Sequence, residues 1–124
     1  MEAATDDLAR RPTFLRAGAL EIRPAEYVAL VNGRPLELTL RELQLLTALA
    51  ERQGRIVSRA ELHAAVWRNP YRKADRSVDV YVGKLRHKLA RALPEGEFIH
   101  THFGFGYRFT PFSQDGHSSI TASG

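Results

Sequence analysis

Five bases and one acid crowd into RSVDVYVGKLRHKLAR, residues 76–91: Arg76, Lys84, Arg86, Lys88 and Arg91 against Asp79. Ammonium and guanidinium groups in such a row suit one kind of chemistry, donation to an anionic polymer. At 3.6 residues per turn, Val78, Val82, Leu85 and Leu89 fall on one narrow stripe. Ala92 and Leu93 extend it until Pro94 stops the helix. The opposite face carries Arg76, Lys84, His87 and Arg91, with Lys88 beside them, Val80 and Gly83 among them and Arg86 on the flank. Surface helices normally mix both signs, and this one hardly does. Gly83 costs about 1 kcal/mol against alanine inside a helix, and a missing side chain lets another surface approach the backbone closely. Val80 is the sort of group that meets a thymine methyl. An ordinary solvated face is the plain alternative. The combination favours a DNA-facing helix.

Other chemistry is hard to find. No Ser, His and acid grouping stands out, and no glycine loop of the kind that cradles phosphate. The GFG of residues 104–106 joins two expected strands, not a strand and a helix. Asp75 and Asp79 fit helix capping and base contact better than acid–base work. His100 and His102 alternate on a strand and share a face, but two ligands without a third nearby read as an ordinary strand. The chain has no cysteine, which removes disulfides, cysteine-based zinc sites and thiol chemistry. No enzyme activity, metal or cofactor is expected.

The elements that position the basic helix can be read in order. Leu20 and Ile22 alternate with Glu21 and Arg23, and Pro24 belongs at an edge or turn. YVALV leads into Asn32-Gly33, a strong hairpin signal, and RPLEL returns as a strand with Leu36 and Leu38 on one face. TLRE, residues 39–42, has the form of a capping box, with Leu38 and Leu43 as its hydrophobic staple. Leu43, Leu46, Leu49 and Ala50 make the buried face of this first helix, and Gly54 is its natural stop. SRAE, residues 58–61, has the form of a second capping box, with Leu62, Ala65 and Val66 inward. Asn69-Pro70 ends that helix, and Asp75 is placed to cap the third. FIHTHFGFGYRF, residues 98–109, is a hairpin bent at Gly104 and Gly106, with Tyr107 and Phe109 closing the core beneath it. The order is sheet, helix, helix, loop, helix, hairpin.

The chain has 124 residues, 44% of them hydrophobic, and a formal net charge of +4. That suffices for one domain with a modest core, and the basic balance suits an anionic partner without choosing between nucleic acid and membrane. No apolar run reaches transmembrane length, and MEAATDDLARR is not a signal peptide; a soluble, cytoplasmic protein is expected. Residues 1–12 read as a flexible tail or linker, 13–112 as the folded domain, and the Ser/Gly-rich 113–124 as a disordered tail.

Two helices followed by a basic third helix and a hairpin suggest an α+β winged helix-turn-helix. In detail the chain resembles the DNA-binding effector domain of the OmpR/PhoB family of bacterial response regulators. The matching segments are LTLRELQLLTALA, GRIVSRAELHAAVW, DRSVDVYVGKLRHKL and the final GFGYRF, covering about Leu36 to Phe109; the first 35 residues match by pattern only. The resemblance implies a sequence-specific, double-stranded DNA-binding transcription regulator. The helix from about Arg76 to Leu93 would lie in the major groove, and the hairpin from about Phe98 to Phe109 would be the wing on the flanking minor groove or backbone. It also implies base-edge contacts from Ser77, Asp79 and Lys84, and backbone contacts from Arg76, Tyr81, Arg86 and Thr101, with Trp67 close by. The loop from Asn69 to Ala74, with Tyr71, Arg72 and Lys73, would be the segment that touches RNA polymerase. A monomer pairing on direct-repeat half-sites about 10 bp apart is the expected mode of binding.

The chain departs from the family pattern at three positions. Phe103 stands just before the first wing glycine, where arginine is frequent, which leaves it to pack against sugars or against the body of the domain. Tyr81 stands where histidine is common, and Gly83 where a second base is common. The family's receiver domain is also missing, which suggests an excised fragment or a stand-alone regulator. A winged-helix module for protein–protein contact, with weak non-specific DNA affinity, is the competing expectation.

Overall fold

The computed structural model describes residues 14–94 and 96–110. The expected tails at 1–12 and 113–124 lie outside them. The chain opens with four antiparallel strands in sequential order, β1 (Leu15–Ala17), β2 (Leu20–Arg23), β3 (Val28–Val31) and β4 (Arg34–Pro35). The register sets Leu20 opposite Val31 and Ile22 opposite Ala29. All four are buried, as is Ala17 opposite Leu20, so alternation puts one apolar face on the helices. Pro24 opens a short 3-10 turn, Pro24–Glu26, between β2 and β3. Asn32 and Gly33 both have positive φ, 51° and 82°, as a two-residue hairpin turn requires. The returning strand is shorter than RPLEL suggests. The strand ends at Pro35, and one further cross-strand bond follows it, from the Leu36 amide to the Ala29 carbonyl oxygen at 2.8 Å. Leu36 and Leu38 pack half-buried on the core.

Helix α1 (Leu40–Glu51) starts where the capping box places it: the Glu42 amide donates to Thr39 Oγ1 and the Thr39 amide to Glu42 Oε1. Its buried face is wider than the four expected residues and includes Leu45 and Ala48, because α1 is the central helix, packed on both other helices and on both sheets. A short strand, β5 (Ile56–Val57), precedes helix α2 (Arg59–Trp67). Ser58 caps α2 through the Glu61 amide, 3.0 Å, but the second capping box closes on one side only. The Glu61 carboxylate turns to Arg52 and Arg55 instead, since guanidinium donors outcompete a neutral amide. Ala65 is exposed rather than inward; the inner face of α2 is Leu62, Val66 and His63.

Helix α3 (Ser77–Ala92) buries Val78, Val82, Leu85 and Leu89, the expected stripe. After it come β6 (Ile99–His102) and β7 (Gly106–Phe109), which form a three-stranded sheet in the order β5-β7-β6. Phe109 is fully buried beside Phe98, and Tyr107 is buried as well. No described helix is long and apolar enough to cross a membrane. The fold is the expected α+β winged helix, with N-terminal sheet, three helices and a hairpin wing.

Candidate nucleic-acid interface

The N-cap of α3 is Arg76, which makes no side-chain cap bond; the expected cap, Asp75, stands one residue before it and bonds the first residue of the helix. Its Oδ1 accepts from the Ser77 amide at 2.8 Å, and its Oδ2 lies 3.0 Å from His63 Nε2. Hydrogen bonds from Ser77, then the nearby His63, hold the Asp75 carboxyl below the usual carboxylate range. His63 itself is only 2% exposed. Its Nδ1 faces the Asn69 carbonyl oxygen at 3.2 Å, and its ring stacks on Trp67 at 5.2 Å. One buried histidine thus joins α2, the loop and the start of the basic helix. Sequence reading missed it, although four residues separate it from Trp67, one helical turn.

Beyond that start, the outer face of α3 exposes Arg76, Val80, Gly83, Lys84, His87 and Arg91. Nothing lies within 4 Å of where a Gly83 side chain would begin. Lys84 Nζ sits 4.9 Å from the centre of the Tyr81 ring. Tyr81 meets Trp67 edge-on at 5.6 Å, and the Arg41 guanidinium covers the Trp67 ring at 5.0 Å. Trp67 and Tyr81 are therefore half-buried packing groups along the edge of the basic face. A cation over an aromatic face at an exposed site is attracted to it by about 0.5–1 kcal/mol.

Two of the five bases turn inward. Lys88 Nζ reaches Glu42 Oε1 at 2.7 Å, and Glu42 is 2% exposed. Burial pushes the Glu42 carboxyl up, but Lys88 and the Thr39 amide outweigh it, and its pKa is lowered. Arg86 is the tether of the wing. Its Nε donates to the Ile99 carbonyl oxygen at 3.1 Å and its Nη2 to Thr101 Oγ1. The expected backbone-contact pair Arg86 and Thr101 is thus brought together and joined, half-buried, at the base of the wing.

Asp79 is the center of a second network. Its Oδ1 accepts from Arg59 Nε at 2.6 Å and from the Tyr107 hydroxyl. The Arg59 and Arg86 guanidiniums lie 5.1 and 5.6 Å from the Tyr107 ring centre. Burial pushes the Asp79 carboxyl up, and the Tyr107 and Arg59 hydrogen bonds more than reverse it, leaving its pKa lowered. Burial and the bond to Asp79 raise the Tyr107 phenol. So the one acid of the basic face is engaged by α2 and β7, which locks the wing to the helix. The sequence gives no sign of this pairing, because Arg59 and Tyr107 lie far from Asp79 along the chain.

The loop residues divide. Tyr71 turns in, its ring 5.5 Å from that of His63, while Arg72 and Lys73 are exposed. At the other end of the interface the wing tip exposes Phe103 and Phe105. Phe103 does not pack against the body of the domain.

Comparison with known proteins places the fold in a family. Residues 33–109 match the family model described as transcriptional regulatory protein, C terminal. The sensory transduction protein RegX3 of Mycolicibacterium smegmatis is 32% identical over 106 residues, covering 86% of this chain and 46% of that protein. The chain thus spans under half the length of the curated relatives it matches. Among solved structures, the DNA-binding domain of CpxR from E. coli superposes with a TM-score of 0.73 at 32% identity, covering 81% of this chain and 97% of that one. The RstA DNA-binding domain of Klebsiella pneumoniae, solved in complex with the RstA box, gives 0.72 at 31% identity, covering 81% and 99%. The chain belongs to the OmpR/PhoB family of transcriptional regulators, and its described residues form that family's C-terminal winged-helix domain.

Proposed function

We infer that this domain binds double-stranded DNA sequence-specifically within a bacterial transcription regulator, working in the cytoplasm. Helix α3 enters the major groove, and the β6–β7 wing rests on the flanking minor groove or backbone. One observation carries the reading: the exposed face of α3 presents Arg76, Lys84, His87 and Arg91, while its single acid is engaged by Arg59 and Tyr107. Lys84 reads a guanine edge and Ser77 a neighbouring base. Asp79 acts as a positioning residue that holds α3 and the wing in register, rather than as a base reader. Arg76 and Tyr81 contact phosphates, which set position without specifying sequence, and Arg86 holds Thr101 at the base of the wing for a backbone contact there. Trp67 supports Tyr81 from behind. Exposed Arg72 and Lys73 offer the contact to RNA polymerase, with Tyr71 as the anchor of their loop. Two domains pair on direct-repeat half-sites about 10 bp apart.

Anisotropy of a labelled duplex, titrated at several salt concentrations, tests this. With roughly four to six phosphate contacts, log K should fall against log salt with a slope of about −4 to −5. Arg76→Ala should weaken all sequences alike and reduce the slope by about 1. Lys84→Ala should cost about 1–3 kcal/mol on the preferred sequence and relax preference at one position. Equal losses for Lys84→Ala on all sequences would remove its base-reading role.

A further inference from the structure

The wing tip carries two large apolar rings in water. Phe103 is 86% exposed and Phe105 72%. They flank Gly104, whose φ of +84° lies in the left-handed region, in a turn closed by the Phe105 amide on the His102 carbonyl at 2.8 Å. The base of this hairpin is fixed. Arg86 ties β6 to α3, Tyr107 ties β7 to α3 through Asp79, and Gly106 lies directly against the Val57 carbonyl. The tip projects two to three residues past the anchored Thr101–Tyr107 pair, about 7–10 Å. The rings are held out by a rigid stalk beside the basic helix.

We propose that Phe103 is an apolar wedge that enters a base step of the minor groove next to the sequence read by α3, and bends the duplex there. The proposal rests on the DNA-binding reading given above. Size and shape favour this occupant over a protein. Two aromatic side chains offer at most about 150–250 Å² each, well short of the ~800 Å² per partner of a specific protein interface. A wedge needs one ring on a convex tip, and such insertions bend DNA by about 20–90°. The wing is continuous with the basic face through Arg86, and Arg108 lies on the strand that leaves the tip. Phe103 is the wedge because it is the more exposed ring. Phe105, on the far side of the turn, rests on sugars.

The test uses a duplex carrying the sequence that this domain enriches from a randomised pool. 2-Aminopurine replaces each base of the flank in turn, and fluorophores at the ends report bending. The unsubstituted domain should raise 2-aminopurine emission at one flank step and shorten the end-to-end distance. Phe103→Ala should abolish both signals and weaken binding about ten-fold, with the salt slope unchanged because no charge is lost. Phe103→Trp should keep both. Phe103→Arg should lose the unstacking signal and steepen the salt slope by about 0.9. Tight, selective binding to a straight, fully stacked duplex would overturn the wedge and leave DNA recognition standing. Unstacking that persists in Phe103→Ala would overturn the assignment to this ring. Failure to enrich any sequence would remove the DNA-binding reading and the wedge together.

Discussion

Replacing Asp79 separates two roles that the sequence alone cannot. As a base reader it would matter only on DNA. As the hub between α2, α3 and the wing it matters to the free domain. The carboxylate accepts from Arg59 Nε at 2.6 Å and from the Tyr107 hydroxyl, with both acid and guanidinium side chains 29% exposed. Hydrogen bonds to a charged group contribute about 1.5–3 kcal/mol each. Partial exposure lets Arg59 recover water, so Asp79→Ala should cost about 2–3 kcal/mol in all. For a domain of this size that is a fall in Tm of about 10–20 °C. Asp79→Asn keeps an oxygen for Tyr107 and should cost about 1 kcal/mol. The sign with pH follows from the lowered pKa. The carboxylate's contribution is full above its unfolded-state value, about 3.9, and disappears as pH falls through the folded value. The difference between the native and Asn forms should therefore shrink below about pH 4. Thermal melts and urea titrations at several pH values measure this. A Tm for Asp79→Ala within about 2 °C of the unsubstituted domain, together with altered preference at one base pair, would refute the positioning role.

Three further outcomes follow from the same geometry. Gly83→Ala fills open space on α3 and should stabilise the free domain by about 1 kcal/mol, seen as a higher Tm, while weakening specific binding if the backbone approaches the groove closely; unchanged affinity would show that it does not. Gly106→Ala would drive a methyl into the Val57 carbonyl at a φ of +145°, and should cost about 3 kcal/mol or more, read from urea unfolding. Glu42, held ionised by Lys88 and the Thr39 amide against burial, contributes stability that is full above its unfolded-state value of about 4.3. That contribution is lost as pH falls through the lower folded value, so Glu42→Gln should flatten the acid side of the stability curve.

Local signals were the legible ones. The 3.6-residue stripe of α3, the capping box at Thr39 and the Asn-Gly turn each depend on neighbours within a few residues, and each stands as read. Where a distant partner competes, local spacing misleads. Glu61 has the spacing of a capping-box acid but goes to Arg52 and Arg55. Ala65 yields the inner face of α2 to His63, whose partners Asn69 and Asp75 come from the following loop. Arg86 and Lys88 look like free bases in sequence, yet Thr101 and Glu42 bind them across the fold. The basic face is real but smaller than five bases suggest, and its order comes from contacts that periodicity cannot show.

The basic face of α3 selects a DNA sequence. The most direct measurement is selection by the domain from a randomised duplex pool at near-physiological salt, with the enriched sequences read out. Short half-sites in direct repeat, about 10 bp apart, should be enriched. An unenriched pool, with weak binding that vanishes as salt rises, would contradict it and leave α3 with non-specific attraction only.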